Sequence, residues 1–271
     1  MATLVFSGSG VLFPAHLGAA EYIFKHVVNQ SESKFVGCSG GSLVSAVLAN
    51  HLPPLKAKEL AKKMLPKDII SLNWKFWQPA RDIGLFSLSK MEKTLKDYIP
   101  ETMEYSKMPL RIVTVNVDTK QEILFSKETT PKANLPKVVC ASCSAPFIFT
   151  PVEIGGQLYV DGGVVNNFPL DLAYPALDKI VIGIRIISIP PIRRTSLVAK
   201  TNIKSRLEYC NSLLGTMLAE SEREHVEDAP PETKIINIVL PYECFDLFGI
   251  VEKDIDIMFD LGYKAAESAL K

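Results

Sequence analysis

Histidine is scarce in this sequence: four in 271 residues, at His16, His26, His51 and His225. Any mechanism that needs an imidazole base has few candidates. Charge of one sign is missing too. Thirty basic residues balance thirty acidic ones, for zero formal net charge, which argues against nucleic acid or a broad anionic membrane surface as partner. No apolar run reaches about eighteen residues, so no segment reads as a membrane span. The opening MATLVFSGSG carries no basic residue and therefore no signal-peptide n-region. A cytoplasmic location is expected, with leaderless export left open. Cysteines number five, at Cys38, Cys140, Cys143, Cys210 and Cys244. Cys140 and Cys143 form a CxxC, but neither a second pair nor histidine spacing accompanies it. Reduced, buried thiols are expected rather than a metal or redox centre.

What the chain does have is a 47% hydrophobic composition and a regular alternation of strand and helix signals. Leu4–Phe6 reads as a buried strand, followed by a Gly/Ser loop and a helix opening at Pro14, a favoured first helical position. Phe35-Val36 is the next strand, and a small-residue helix follows Ser39. A helix with a basic outer face covers Lys56–Met64. Ser89 and Glu92 have the spacing of a capping box, predicting a helix from there to Ile99. Leu110–Val117 alternates as a strand with Ile123–Phe125 as its hairpin partner. Leu135–Ala141 reads as helix, and SAPFIFTPV (144–152) as extended. Gln157–Val160 is a strand ending at Asp161, and 179–188 is a continuously apolar, β-branched strand suited to burial on both faces. Ile203–Val226 reads as helix, Ile235–Val239 as strand and Glu252–Leu270 as a closing helix. No repeat or linker interrupts 1–271, so a single α/β domain with a largely parallel central sheet is expected.

Three short stretches carry chemistry. The first is Gly37-Cys38-Ser39-Gly40-Gly41. A nucleophile elbow holds its serine in a strained conformation at a strand end. Neighbours one turn away must be tiny, and the following helix N-terminus favours developing negative charge. The second is FSGSGVLFPAHLG (6–18). Phe13 breaks the dinucleotide-binding GxGxxG pattern, and no Gly-Lys-Ser/Thr follows to make a phosphate loop. What remains is a tight turn, or a nest of backbone N–H groups from Gly8, Ser9 and Gly10 that binds an oxyanion. The third is Asp161-Gly162-Gly163, a carboxylate at a strand end with glycines around it, or else a surface turn. Ser39, Asp161 and His225 follow the chain order of an α/β-hydrolase triad, but His225 lies in the highly charged ESEREHVED. Asp161 acting directly on Ser39 is the sharper alternative. Its reference pKa of about 3.9 makes it a weak base unless burial raises it.

Together these stretches resemble the patatin-like phospholipase family, which pairs a glycine-rich loop after the first strand with GxSxG and a later Asp-Gly-Gly or Asp-Gly-Ala. ASCSAPFIFTPV (141–152), VVNNFP (164–169) and DIDIMFDLGYKAA (254–266) resemble further segments of that family, so the likeness runs over nearly the whole chain. It implies a three-layer α/β/α sandwich and hydrolysis of lipid acyl esters, of phospholipase A type with lysophospholipase capacity. Ser39 would be the nucleophile, Asp161 the base, and backbone N–H groups of Gly8, Ser9 and Gly10 the oxyanion hole. Gly37, Gly40, Gly41, Gly162 and Gly163 would provide support. No metal or other cofactor is implied. The chain departs from the family's Gly-Gly-Gly-x-Arg/Lys-Gly loop at Leu12, where the basic residue is expected, and at Phe13, where the last glycine is. Some animal members resembling triglyceride lipases also lack the basic residue.

The expected partner is a lipid substrate at a membrane or lipid-droplet surface, met by transient peripheral contact, with room for an activating protein. NWKFWQP (73–79), the basic face of Lys56–Lys63 and IPPIRR (189–194) are candidate contact segments. Two other functions stay in play: a catalytically silent lipid- or partner-binding module on the same fold, and a Ser-His-Asp esterase using His225.

Overall fold

The computed structural model describes residues 1–72, 84–173, 180–188, 203–241 and 249–271, with the side chains of 203–212 and 214 left out. The aromatic stretch 73–79, the segment 189–194, Cys244 and the Cys210 side chain therefore lie outside the described residues.

The chain opens with β1 (Ala2–Phe6), α1 (Phe13–His26), β2 (Ser33–Cys38), α2 (Gly40–Ala49), α3 (Pro54–Lys63) and the short α4 (Pro66–Ile69). A two-stranded ribbon, β3 (Ser71–Leu72) with β4 (Phe86–Ser87), leads into α5 (Ser89–Leu95). β5 (Leu110–Asn116), β6 (Gln121–Ser126), α6 (Leu135–Ser142), β7 (Val152–Ile154), β8 (Gln157–Asp161) and α7 (Gly163–Asn166) follow. The chain continues through β9 (Ile180–Ser188), α8 (Ile203–Glu227), β10 (Lys234–Leu240) and α9 (Glu252–Leu270).

The main sheet runs β10-β9-β1-β2-β5-β8-β7, with β6 also on β5. β10, β9, β1, β2 and β5 are mutually parallel, whereas β6 and β8 run antiparallel to β5, and β7 antiparallel to β8. The sheet is thus mixed but mostly parallel, as expected. Alternation along the strands splits the core in two. Leu4, Phe6, Phe35, Ile112, Ile182 and Ile236 join the larger cluster with α1, α2, α3 and α9. Val5, Val36 and Val181 face the other way, toward Phe168, Leu170 and Val226 of α8. Helices cover both faces, which is the three-layer arrangement. On the thicker side α1 and α9 cross at backbone contact distance. A Cβ on Gly18 would overlap the Phe259 carbonyl, and one on Gly262 the Ala15 carbonyl.

Three expectations need correction. α5 opens at Ser89 without a capping box. Leu88 is its N-cap, Ser89 N–H donates to Ser87 Oγ at 3.2 Å, and Glu92 reaches forward to Lys96 at 3.0 Å instead of back. Leu95 ends the helix, and turns carry the chain to Ile99. The run 144–152 is not extended throughout. Ile148 and Phe149 N–H groups both return to the Ala145 carbonyl, and Phe147 takes a positive φ of 69°. The basic face of α3 is partly engaged: Lys58 and Lys62 pair with Asp256 of α9 at 3.0 and 3.1 Å.

Candidate active site

The site forms where two strands meet end to end. β2 pairs with the first half of β5, its last residue Cys38 opposite Val113. β8 pairs with the second half of β5 from the other direction, its last residue Asp161 opposite Thr114. Consecutive positions on β5 therefore bring the two strand ends together. The residue after Cys38 is Ser39, and its Oγ donates to Asp161 Oδ2 at 2.7 Å.

Ser39 has φ 50° and ψ −128°, a region costing a non-glycine residue about 1–3 kcal/mol. The surroundings hold it there. Its N–H donates to Ser142 Oγ at 2.9 Å, and Ser142 in turn donates to the Val113 carbonyl at 2.7 Å. The flanking glycines are required by close approach: a Cβ on Gly37 would strike the Gly41 carbonyl, and one on Gly41 the Phe6 and Ser7 carbonyls. Gly162 likewise packs on the Val113 backbone, where a Cβ would lie 2.6 Å from the carbonyl oxygen.

Asp161 is buried. Burial pushes its pKa up to about 6, although hydrogen bonds from Gly163 N–H, Ser39 and Cys38 all pull it down. Gly163 N–H binds Oδ1 at 2.8 Å and Cys38 Sγ lies 3.8 Å from the same oxygen, which leaves Oδ2 directed at Ser39. A carboxylate so tuned is a better proton acceptor than an exposed one and is still ionised at neutral pH.

The glycine loop lies beside this pair. A Cβ on Gly8 would fall 3.3 Å from Ser39 Cβ, and one on Gly40 would fall 3.0 Å from Gly10 N. Gly8 requires a correction as an oxyanion donor: its N–H already donates to the Asn167 carbonyl at 2.8 Å. It serves as a clearance, because a Cβ there would collide with Asn167 Oδ1. The N–H groups of Ser9, Gly10 and Gly40 have no acceptor among the described residues. His16 supports the loop from beneath, with Nε2 3.1 Å from the Ser7 carbonyl. Burial lowers the His16 pKa to about 3, so the ring is neutral and Nε2–H is the donor.

An apolar cleft opens from Ser39 and Gly40. Its free space is about 660 Å³, the open mouth included, and its walls include Val11, Phe13, Leu43, Met64, Ile69, Leu88, Met91, Phe149 and Ile255. The two departures in the glycine loop fit here. Leu12 is buried in the core, and Phe13 sits in ordinary helical backbone with its ring on the cleft.

His225 is not part of this arrangement. Its Nδ1 lies 2.8 Å from the Ser221 carbonyl and its Nε2 3.4 Å from Asp171. The described residues contain no cluster able to hold a metal ion, and Cys38, Cys140 and Cys143 are free thiols. Burial raises all three thiol pKa values. The sequence reading assigned no role to Ser142 or Asn167. Both lie in segments noted only for their likeness to family patterns, and their partners are distant in sequence.

A model of the patatin-like phospholipase family matches residues 4–174, a span that includes the glycine loop, the elbow and Asp161. The chain belongs to this family. The chain is 26% identical over 279 residues to the "uncharacterized protein R571" of Acanthamoeba polyphaga mimivirus, covering 98% of this chain and 93% of that protein. It is 30% identical over 186 residues to the "probable lipid hydrolase 463L" of Invertebrate iridescent virus 6, covering 63% of this chain and 62% of the viral protein. Human "patatin-like phospholipase domain-containing protein 4" is 29% identical over 171 residues, 62% of this chain and 66% of that one. The crystal structure of VipD from Legionella pneumophila has the same fold, with a TM-score of 0.54 at 13% identity over 99% of this chain and 66% of VipD. No helix among the described residues is long and apolar enough to cross a membrane.

Proposed function

We propose that this patatin-like chain hydrolyses acyl esters of phospholipids, as a phospholipase A with lysophospholipase capacity. The observation that carries the proposal is the 2.7 Å hydrogen bond from Ser39 Oγ to a buried Asp161 at the foot of an apolar cleft. An acyl chain lies along the cleft with its ester carbon over Ser39. Ser39 Oγ bonds to that carbon while its proton passes to Asp161 Oδ2, and the carbonyl π pair moves onto oxygen. N–H groups of the glycine loop and of Gly40 stabilise the charge. Collapse breaks the bond to the lipid alcohol, which leaves with the proton from Asp161. Water then repeats the sequence on the acyl-enzyme, releasing fatty acid and restoring Ser39. Exposed Leu72, Phe147 and Val251 lie within two residues of the cleft-lining Ile70, Phe149 and Ile250. Exposed apolar side chains so close in sequence to the cleft walls would suit transient contact with a lipid surface, where such substrates reside.

The test is fatty-acid release from mixed phospholipid vesicles, followed by mass spectrometry, with wild type beside Ser39→Ala. Release that depends on Ser39 is expected. Its rate should rise through about pH 6 and level above, because the base must be ionised. No release from either protein, or equal release from both, would overturn the proposal.

A further inference from the structure

Asn167 stands between the two halves of the proposed site. The single turn of α7 carries the chain to it from Gly163, whose N–H binds Asp161 Oδ1 at 2.8 Å. The Asn167 carbonyl takes the Gly8 N–H at 2.8 Å. Its side chain fills the space between the two glycines. A Cβ on Gly8 would collide with Asn167 Oδ1, and one on Gly163 would fall 2.6 Å from the same oxygen. Asn167 is buried, and α8 takes both of its donors. Its N–H donates to Ser221 Oγ at 3.2 Å, and its Nδ2 donates to Glu222 Oε1. Ser221 Oγ donates in turn to the Val165 carbonyl at 2.9 Å. Glu222 thereby decides which way the amide lies. An ionised carboxylate only accepts, so it selects the nitrogen end and leaves the oxygen end against Gly8 and Gly163. A hydrogen bond to a charged acceptor is also about twice as strong as a neutral one.

We propose that Glu222 is a positioning residue for the hydrolysis: from α8 it locks the Asn167 amide, and through Asn167 it sets the glycine loop that carries the Ser9 and Gly10 N–H groups. The inference rests on the Ser39–Asp161 hydrolase reading. Neither Glu222 nor Asn167 is among the residues lining the cleft, so the pair touches no substrate and acts through Gly8. A Cβ on Gly8 would fall 3.3 Å from Ser39 Cβ, so a shift of the loop at Gly8 moves its donors relative to the ester carbon that Ser39 attacks. Without the carboxylate, the buried Asn167 Nδ2 loses its acceptor, and the amide is free to turn its two hydrogens toward the glycines. A displacement of about 1 Å in a reacting arrangement can cost about 10²-fold in rate. The loss falls on the transition state, whose developing charge the loop serves, more than on the apolar contacts that bind the acyl chain.

The experiment compares wild type, Glu222→Leu, Glu222→Gln, Asn167→Asp, the double variant Asn167→Asp/Glu222→Gln and Ser39→Ala on p-nitrophenyl butyrate. The assay runs at about pH 8, where Glu222, its pKa pushed up to about 7 by burial, is ionised. Values of kcat and KM are separated, and folding is followed by circular dichroism. Glu222→Leu is expected to lower kcat about ten-fold or more with KM within about two-fold. Glu222→Gln keeps an acceptor oxygen for Asn167 Nδ2 and should retain most of kcat. Asn167→Asp sets two carboxylates against each other and should lose at least as much as Glu222→Leu. The double variant supplies an amide donor to the new carboxylate and should recover part of that loss. It also keeps the test open if either damaging single variant fails to fold, since a folded double variant without turnover would overturn the inference. A folded Glu222→Leu with kcat within about three-fold of wild type would overturn it too, as would equal losses in Glu222→Leu and Glu222→Gln. Wild type without Ser39-dependent turnover would overturn the hydrolase reading itself, and this inference with it.

Discussion

On one side of Ser39, both carboxylate oxygens and the N–H of Asp161 are bonded, to Ser39, Gly163 and the Ser144 carbonyl. On the other side, the Ser9 and Gly10 N–H groups and Ser9 Oγ have no partner among the described residues. The contrast suits the tasks proposed for the two sides. A proton acceptor must stand in position before reaction begins, with its rotamer fixed by bonds that persist throughout. An oxyanion hole must keep its donors free, since the charge they serve exists only fleetingly. The first side is fixed by its full set of hydrogen bonds, and the loop of the second is held in shape by the Asn167 and His16 contacts.

The sharpest way to break the comparison is to remove the base. Asp161→Asn is expected to lower kcat about 10³-fold, within the range for general-base loss. The same change should not harm the fold. Asp161 has a folded pKa of about 6 against an ordinary 3.8. The folded state therefore holds that proton more tightly than the unfolded chain, and ionisation costs stability. The cost grows as pH rises from about 4 to 6 and is complete above, amounting to at most about 3 kcal/mol. The asparagine variant should melt higher than wild type at about pH 8, with the gap closing by about pH 4. A lower Tm at both pH values would count against this account.

Gly41→Ala attacks the seam between the two sides, because its Cβ would overlap the Phe6 and Ser7 carbonyls. We expect a loss of about 2 kcal/mol or more in urea unfolding, from overpacking against backbone, together with loss of most activity. Ser142→Ala is milder. It strands the buried Ser39 N–H and takes one donor away from the Val113 carbonyl, a cost of about 1–3 kcal/mol. Turnover should fall roughly ten-fold as Ser39 escapes its strained φ; unchanged stability would show that another group holds the elbow. His225→Ala should leave kcat within about two-fold, since its ring contacts are to Asp171 and Ser221. Abolished turnover in that variant, still folded, would restore the triad.

Much of this was legible in the sequence because the signals are local. The strand Leu4–Phe6, the elbow glycines and the helix Glu252–Leu270 each carry their own chemistry: β-branched or apolar runs, missing side chains, a 3.6-residue period. Asp161 stood out because it ends a strand and precedes two glycines. What escaped depends on distant partners. Nothing near Gly8 announces that Asn167 takes its N–H, and nothing near Ser142 announces that it supports a backbone more than a hundred residues away. Ser89 and Glu92 had the spacing of a cap, but Lys96 offered Glu92 a charged partner one turn ahead. The turn at Phe147 was hidden because a positive φ on phenylalanine has no residue-level signature.

The end-to-end meeting of β2 and β8 along β5 also bears on when in folding the candidate site comes together. β8 contacts β5 through only Thr114, Val115 and Asn116, and a one-residue slip there would turn Asp161 to the opposite face of the sheet. The proposed nucleophile sits between an early strand and its helix, and the proposed base lies 122 residues further along the chain. A chain folded only as far as the elbow thus holds Ser39 without Asp161. The Ser39–Asp161 pair therefore exists only where β8 has docked in register on β5, so any hydrolysis it performs would be confined to the completed sheet.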